Sequence, residues 1–241
     1  MNDSVRSLKE RLYDGRPEWV DGTTRFARLV SERIQPPMLL LDLGAGAGKP
    51  GPANFLGEGV RIIGLDPNES ISCNTSVSMR VRGLAQALPF TAAAFDLVFA
   101  DWVIEHLDQP SCFAREVARV LRSGGFFVFR TGNLWHYSYA IAAHTPQWFH
   151  NLVANRVRGL SDSGHEPYPT FYMMNTLRAV RRTLLTAGFV EEKLTIIETE
   201  PSYLMFSTFT FLAGLLYERI VNSSPAFEGL RSSILACYRK I

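Results

Sequence analysis

Three closely spaced glycines follow an apolar run, and they are the strongest chemical signal in the chain. The run 38–43 (MLLLDL) is typical of a parallel strand buried on both faces, and glycines stand at positions 44, 46 and 48 directly after it. Glycine is needed where a backbone turns sharply and where a ligand approaches the main chain closely. We expect this loop to lead into a helix, with its backbone N–H groups facing the ligand.

An acidic residue closes the next apolar run. Residues 60–65 (VRIIGL) are typical of a second strand, and Asp66 stands at its tip. A carboxylate at this place can accept hydrogen bonds from both ribose hydroxyls of an adenosine. The glycine loop and Asp66 together predict a nucleotide pocket at the carboxyl edge of a parallel sheet.

Two other interpretations of the glycine loop stay open at this point. Gly46-Ala-Gly48-Lys-Pro-Gly51 formally satisfies G-x-G-x-x-G, the fingerprint of nicotinamide- and flavin-dependent dehydrogenases. In those proteins the first glycine normally follows the strand closely, which fits Gly44 better and puts Lys49 in the place of the third glycine. The other alternative is a glycine-rich turn without a ligand. A P-loop is excluded, because no Gly-Lys-Ser/Thr is present.

The elements that must position this loop alternate between strand and helix, which is the mark of an α/β sheet. Further apolar runs predict strands at 78–81, 95–100, 126–130, 190–197 and 233–239, and helical spacing predicts helices at 110–121 and 175–187. We expect a Rossmann-like, doubly wound, mostly parallel sheet. The 241 residues fit a single domain with a helical cap over 1–37, a cofactor-binding core over 38–130, a lid-like insertion over 131–174 and a C-terminal half over 175–241.

Composition narrows the class of protein. A net charge of +2 does not support nucleic-acid binding, for which a strongly basic face would be expected. The three cysteines form no CxxC pair, and no Cys/His cluster has zinc spacing, so we expect neither a metal site nor a disulfide framework. The N-terminal residues contain no apolar signal region, which predicts a cytoplasmic protein.

One long uncharged segment raises the question of contact with a membrane. Residues 201–217 (PSYLMFSTFTFLAGLLY) carry no charge, but the run is shorter than the ~20 apolar residues that a bilayer core requires. We expect a buried or partner-facing helix. An interfacial helix that brings the protein to a lipid surface is the alternative, and it would make peripheral membrane contact.

Four motifs in this order resemble the class I S-adenosylmethionine-dependent methyltransferase family. They are 41–48 (LDLGAGAG), 64–66 (GLD), 83–90 (GLAQALPF) and 95–107 (FDLVFADWVIEHL), and 116–125 (EVARVLRSGG) follows like the family's helix before its fifth strand. Order and spacing match over residues 38–130, and the agreement is best with the small-molecule branch. A looser likeness, beyond the fifth strand, is to methyltransferases encoded with bacterial surface-polysaccharide functions.

The resemblance implies S-adenosyl-L-methionine as the cofactor and gives roles to particular positions. Asp42 would anchor the loop and approach the amino end of the cofactor. Gly44, Ala45 and Gly46 would pass beneath its methionine part. The edge of the fourth strand would lie beside the methionine and the transferring methyl group, and its residues are Ala100, Asp101 and Trp102.

The adenosine half of the implied site departs from the family pattern in one respect. Asp66 would hold the ribose, Pro67 would lie against the adenine, and Leu84 and Ala85 would flank its other side. Family members commonly have an acid where Leu84 stands, and that acid receives the adenine amino group. Here adenine recognition would rest on backbone groups or on Gln86.

Methyl transfer from a sulfonium is an in-line displacement, and an oxygen nucleophile often needs a base to remove its proton. Residues 133–137 follow the fifth strand and should overhang the methyl-transfer site. We predict that His136 is the base and that Tyr137 positions the acceptor. For each histidine of the insertion, an exposed or helix-capping role is the alternative, and the other candidates are His144, His150 and His165.

The predicted function is O-methylation of a hydroxyl on a small or glycan-type acceptor. An N- or C-methyltransferase of a small aromatic metabolite stays open beside it. So does a catalytically silent adenosylmethionine-binding partner protein, while a nicotinamide-dependent oxidoreductase is more remote. A homo-oligomer is compatible with any of these functions.

Overall fold

The computed structural model describes residues 3–14, 16, 18–48, 51–144 and 168–241. Its centre is a seven-stranded sheet with the strand order β3-β2-β1-β4-β5-β7-β6. The strands are β1 (Met38–Leu43), β2 (Val60–Asp66), β3 (Met79–Arg82), β4 (Phe95–Asp101), β5 (Leu121–Gly132), β6 (Phe189–Ile197) and β7 (Ser233–Lys240).

The strand pairings confirm the predicted fold class. β1 pairs in parallel with both β2 and β4, β2 with β3, and β4 with β5. The strand order therefore reverses direction between β1 and β4. In open α/β sheets a ligand binds at such a switch point, outside the carboxyl ends of the strands. The fold is thus a doubly wound, Rossmann-like α/β sheet, and the glycine loop follows the strand at its switch point.

Three helices begin at residues whose types favour the start of a helix. Thr176 accepts a hydrogen bond from the backbone N–H of Ala179, and Ser207 forms a capping box with Thr210. Pro110 stands at the first position of its helix, where its missing N–H costs no hydrogen bond. The helices are α1 (Asp3–Lys9), which continues into a π-helical turn (Glu10–Asp14), α2 (Gly22–Ser31), α3 (Pro110–Val120), α4 (Tyr137–His144), α5 (Leu177–Thr186) and α6 (Thr208–Ser223).

The predicted helix after the glycine loop is wrong. Among the described residues between β1 and β2, 44–48 and 51–59, the structure contains turns and no helix. Gly44, Gly46, Gly48 and Gly51 all have positive φ angles, which a right-handed helix does not allow. The loop is irregular because its glycines are used for turns.

The fifth strand also differs from its prediction. The preceding helix ends at Val120 and β5 begins at Leu121, whereas the sequence predicted a helix to residue 121 and a strand only from residue 126. Gly124 takes a φ of +78°, and the register between β4 and β5 shifts between Phe95 and Leu97. The glycines therefore form an irregularity at the start of the strand instead of separating it from the helix.

The chain divides into two compact units. The first comprises 1–22, 133–169 and 196–233, and the second comprises 23–132, 170–195 and 234–241. The second unit contains most of the sheet, and its core includes Phe95, Phe113, Phe127 and Phe129. The first unit has a smaller core around Tyr13 and Phe211. No helix among the described residues is long and apolar enough to span a bilayer.

Candidate cofactor-binding site

The glycine loop adopts a backbone that side chains would obstruct. Gly44 and Gly46 have φ angles of +71° and +49°. A methyl group added at Gly44 would overlap the side chain of Val103, whereas one added at Gly46 would meet nothing within 4 Å. Glycine at 44 therefore satisfies both the backbone conformation and the close packing, and glycine at 46 satisfies the conformation and leaves the surface above it open.

Asp66 ties this loop to the end of β2. Its Oδ2 accepts the backbone N–H of Gly46 at 2.9 Å, and its Oδ1 accepts the backbone N–H of Asn68 at 2.8 Å. The residue is only 8% exposed. A carboxylate oxygen has two acceptor sites, so each oxygen retains one for a further donor such as a ribose hydroxyl. The residues present thus fit the adenosine half of the cofactor.

Asn74 holds the loop from its other side, and sequence reasoning missed this residue. Its Nδ2 donates to the backbone oxygens of Ala45 at 2.9 Å and Gly46 at 3.2 Å, and its Oδ1 accepts the N–H of Ser76. Asn74 is fully buried. A single asparagine in a loop after β2 carries no motif that could have predicted this role.

The residues predicted near the adenine lie at the surface of the second unit. Leu84 is 58% exposed, and Ala85 and Gln86 are half-buried. The Nε2 of Gln86 donates to Oδ1 of Asp108 at 2.8 Å, so this amide is already engaged in part. Pro67 is half-buried, and its backbone oxygen accepts a hydrogen bond from a side chain of β3.

The remaining predicted positions lie in β1 and at the end of β4. Asp42 is buried in β1, where it stands in register with Gly64 of β2. Ala100 and Asp101 are buried, and Trp102 is half-buried. Trp102 has a φ of +61°, which is uncommon for a residue with a side chain. All twelve residues predicted to bind the cofactor belong to the second unit.

The second unit also contains a group of buried polar side chains joined by hydrogen bonds, which the sequence did not predict. Thr131 Oγ1 donates to Oε2 of Glu105 at 2.9 Å and accepts from Nδ2 of Asn175 at 2.8 Å. Burial raises the pKa of Glu105 above its ordinary value. The backbone oxygen of Glu105 also accepts the N–H groups of Phe171 and Tyr172. These hydrogen bonds fix the segment after β4 to the end of β5.

His136 lies in the first unit and precedes α4. Its Nδ1 is 2.7 Å from the hydroxyl oxygen of Ser138 and accepts the backbone N–H of that residue at 3.4 Å, which leaves the ring proton on Nε2. Nε2 lies 3.5 Å from Oε2 of Glu198, and His136 is only 2% exposed. Tyr137 packs against the imidazole with ring centroids 4.2 Å apart.

Burial sets the protonation states of this histidine and its acidic neighbour. It lowers the pKa of His136 to about 4, so the imidazole is neutral at neutral pH. It raises the pKa of Glu198 to about 7, although hydrogen bonds from Ser232 act in the opposite direction. Burial also raises the pKa of Tyr137, and the charge of Glu198 adds to this effect. At neutral pH His136 and Tyr137 are therefore uncharged, and Glu198 is near the midpoint of its ionisation.

The other histidines of the insertion are not placed. The side chain of His144 and the whole of His150 and His165 lie outside the described residues. Within the part of the chain that the structure describes, no group of His, Cys, Asp or Glu side chains is arranged to hold a metal ion.

A parallel sheet with its switch point at β1, a glycine loop there and an acid at the end of β2 define a Rossmann-like nucleotide-binding protein. A sequence model of the family described as "Methyltransferase domain" matches residues 41–129, which include both the loop and Asp66. Over this segment the chain is similar to methyltransferase domains of the class I S-adenosylmethionine-dependent family. The cofactor of that family is S-adenosyl-L-methionine.

Curated relatives share only part of their length with this chain. An uncharacterized methyltransferase of Mycobacterium leprae is 37% identical over 96 residues, which are 37% of this chain and 35% of the relative. The mitochondrial ubiquinone biosynthesis O-methyltransferase of Homo sapiens is 28% identical over 156 residues, which are 59% of this chain and 40% of the relative. The chain thus spans well under half the length of either relative.

Solved structures support the fold over nearly the whole chain. The geranyl diphosphate C-methyltransferase of Streptomyces coelicolor superposes with a TM-score of 0.59 at 16% identity, covering 99% of this chain and 84% of its own. The [4+2]-cyclase SpnF also gives a TM-score of 0.59, at 18% identity, covering 95% of this chain and 85% of its own. The second of these catalyses a cyclisation, so the shared fold does not fix the chemistry.

Proposed function

We propose that this chain binds S-adenosyl-L-methionine at the loop Gly44–Gly46 and Asp66 and transfers its methyl group to a hydroxyl of a small acceptor. The observation that carries the proposal is the hydrogen bond from Gly46 N to Asp66 Oδ2. It joins the loop that would carry the methionine to the acid that would hold the ribose. The remaining acceptor sites on Asp66 and the open surface above Gly46 leave room for the cofactor.

The choice of oxygen as the acceptor atom rests on a partial relative. The human protein named as an O-methyltransferase shares 156 residues with this chain at 28% identity. The Streptomyces structure is named as a C-methyltransferase, but its 16% identity supports only the fold. O-methylation is therefore the proposed reaction and C-methylation the alternative. A glycan-type acceptor is supported only by the looser sequence likeness to methyltransferases encoded with bacterial surface-polysaccharide functions.

The roles of His136 and Tyr137 in methyl transfer stay predictions. The neutral state of His136 at neutral pH is the one that a base requires. Its two ring nitrogens, however, already face Ser138 and Glu198. A His136→Asn variant that keeps full turnover would show that the histidine only caps α4.

The cofactor assignment is tested by calorimetry with S-adenosylmethionine, S-adenosylhomocysteine and, as a control, NAD. We expect saturable binding of both adenosyl compounds and none of NAD. Turnover is then measured as transfer of labelled methyl groups to a panel of phenols, sugars and amines. Binding without transfer to any of them would favour the silent partner protein, and NAD binding in place of the adenosyl compounds would indicate a dehydrogenase.

We also propose that α6 meets a lipid surface. Phe209, Leu212, Leu216 and Ile220 follow helical spacing along one face, and Phe209 is 82% exposed. If a fully exposed large apolar side chain offers about 200 Å², this face presents roughly 500 Å². A stable dimer needs about 800 Å² from each partner, so a second copy would be held too weakly by this face alone. An interfacial helix buries such an apolar stripe at the boundary between headgroups and acyl chains.

A further inference from the structure

The ladder between β4 and β5 carries an aspartate–arginine pair at each end. At the amino end, Asp96 pairs with Arg122, whose side chain is 55% exposed. At the carboxyl end, Asp101 stands in register with Arg130, and their side chains are 3% and 7% exposed. An exposed pair contributes little energy, whereas a buried pair is costly to desolvate. The buried pair therefore calls for an explanation that the exposed pair does not need.

Arg130 is held in a fixed plane. Its Nε donates to Oδ1 of Asp101 at 2.7 Å and its Nη2 to Oδ2 at 2.9 Å, with Thr23 Oγ1 a further 3.3 Å from Nη2. The guanidinium carbon lies 5.1 Å from the ring centroid of Trp102 and 5.6 Å from that of Phe26. Two aromatic rings and two hydrogen-bonding side chains thus surround this guanidinium.

One donor group of this guanidinium remains unused. Among the residues that the structure describes, none accepts a hydrogen bond from Nη1 of Arg130. Arg130 as a whole is 6% exposed. Nη1 does not belong to the buried side-chain atoms that lack a partner among the described residues, so it is open to solvent and a ligand can reach it. This unused donor on a rigid guanidinium indicates a group that accepts hydrogen bonds from it.

Trp102, whose ring lies against this guanidinium, has a strained backbone. Its φ is +61°, and its N–H donates to the backbone oxygen of Arg130 at 3.0 Å. Residues with a side chain seldom adopt this conformation, and it persists where the surrounding structure holds it. The backbone hydrogen bond and the stacked ring together fix the indole against the guanidinium.

The strand registers place Arg130 near the proposed methyl-transfer site. Leu43 is in register with Ala100, so Gly44 is level with Asp101, which is itself in register with Arg130. Two strand spacings separate Gly44 from Arg130, which is about 10 Å along the carboxyl edge. A cofactor whose methionine part lies over Gly44–Gly46 leaves this distance for an acceptor. The inference therefore rests on the proposed function.

We propose that Nη1 of Arg130 binds the reacting oxygen of the acceptor, and that the acceptor is a phenol or an enol. A hydrogen bond donated to the ionised form of a group lowers its pKa, and the charge of Asp101 offsets much of the Coulombic effect of Arg130. Phenols ionise near pH 10, as tyrosine does, so this hydrogen bond increases the phenolate fraction near neutral pH. An aliphatic hydroxyl ionises near the value of water, about 15.7, and would stay protonated.

The reaction that follows from this binding is balanced without a further reactant. The phenol releases its proton to water and binds as the phenolate beside Arg130. Its oxygen lone pair forms the new O–C bond as the C–S bond of the sulfonium breaks, and the electron pair of that bond goes to sulfur. Arg130 acts as an electrostatic and positioning group, and no protein base is required in the transfer step.

The test uses 4-nitrophenol, whose anion absorbs visible light, bound to the full chain in the presence of S-adenosylhomocysteine. We expect the pKa of the bound probe to lie at least about one unit below that of the free probe. Arg130→Met should abolish this shift, and Arg122→Met, which removes the matching arginine at the other end of the ladder, should retain it. S-adenosylhomocysteine should bind Arg130→Met with the wild-type affinity.

If Arg130→Met does not fold, Arg130→Gln, whose amide can still donate a hydrogen bond to Asp101, replaces it in the test. Equal probe shifts in the wild type and in the Arg130 variant, or no probe binding to the adenosylhomocysteine complex, would overturn the phenol site and leave the cofactor site intact. A tenfold or larger loss of S-adenosylhomocysteine affinity in the variant would instead assign Arg130 to the cofactor carboxylate. Failure of the wild type to bind S-adenosylhomocysteine would reject the proposed function itself.

Discussion

The backbone N–H of Gly46 donates to Oδ2 of Asp66 at 2.9 Å, so the glycine loop and the acid at the end of β2 form one structural unit. The other oxygen of Asp66 accepts the N–H of Asn68. A change at Asp66 therefore acts on the loop and on the ribose position together. The two strongest sequence signals in this chain are coupled through a single carboxylate.

We predict that Asp66→Ala lowers the affinity for S-adenosylhomocysteine at least tenfold in calorimetry. Removing a charged acceptor typically costs about 1.5–3 kcal/mol, and each 1.4 kcal/mol is a factor of ten. The matched control is Asp96→Ala. Asp96 also accepts a backbone N–H, from Leu39 at 2.7 Å, but it lies at the opposite end of the sheet. Asp96→Ala should lower the free energy of unfolding and leave the affinity for S-adenosylhomocysteine unchanged. Equal losses of affinity in the two variants would contradict the assignment of the ribose to Asp66.

We predict that Gly44→Ala destabilises the protein more than Gly46→Ala. Both positions have positive φ, for which an alanine pays about 1 kcal/mol or more. At Gly44 the added methyl group also overlaps Val103, whereas at Gly46 it meets nothing within 4 Å. Chemical denaturation measures both free energies of unfolding. The variant Gly44→Ala/Val103→Ala separates the overlap from the backbone cost, and it should recover part of the difference.

The sequence predicted the strands and the glycine loop well because these features are local. A strand buried on both faces must be apolar along its whole length, so β1 was predicted at its observed bounds. Asp66 could be singled out because an acid at a strand end is a local signal. The helix after the loop was predicted wrongly, because the positive φ angles of the glycines overrode the expected pattern.

The residues that sequence reasoning missed act through long-range contacts. Asn74 holds the backbone of Ala45 and Gly46, and no pattern around Asn74 indicates which loop it will meet. Arg130 pairs with Asp101, which is 29 positions away in the sequence. Their spacing has no helical or strand period, so only the sheet register brings them together. Such partners become visible when the fold is known.

We predict opposite pH responses for His136→Asn and Glu198→Gln. Burial lowers the pKa of His136 from 6.5 to about 4, so its contribution to wild-type stability rises between pH 4 and 6.5. Burial raises the pKa of Glu198 from 4.5 to about 7, so its contribution is present at low pH and is lost as pH rises to 7. Each contribution is on the order of 3 kcal/mol.

Urea denaturation from pH 4 to 7.5 measures the free energy of unfolding of both variants and of the wild type. The difference between each variant and the wild type is compared across pH, so that the contributions of the other titrating groups cancel. The stability of His136→Asn relative to the wild type should fall as pH rises, because the variant lacks the histidine's rising contribution. The relative stability of Glu198→Gln should rise over the same range. Asparagine can still accept the N–H of Ser138, so the helix cap is retained. Parallel responses in the two variants would contradict this assignment of protonation states.

We predict that Phe209→Glu/Leu216→Glu abolishes binding of the protein to lipid vesicles. Both side chains lie on the exposed apolar face of α6, at 82% and 63% exposure, so the changes should leave the free energy of unfolding nearly unchanged. Flotation with phosphatidylcholine vesicles, with and without phosphatidylglycerol, measures the binding. Leu185→Glu is the control, because Leu185 is 53% exposed on α5 and lies outside the stripe. Apolar contact dominates this proposal, so the wild type should float with neutral vesicles as well as anionic ones. Two results would show that this face meets something other than lipid. One is a wild type that floats with neither kind of vesicle, and the other is a doubly substituted protein that floats as well as the wild type.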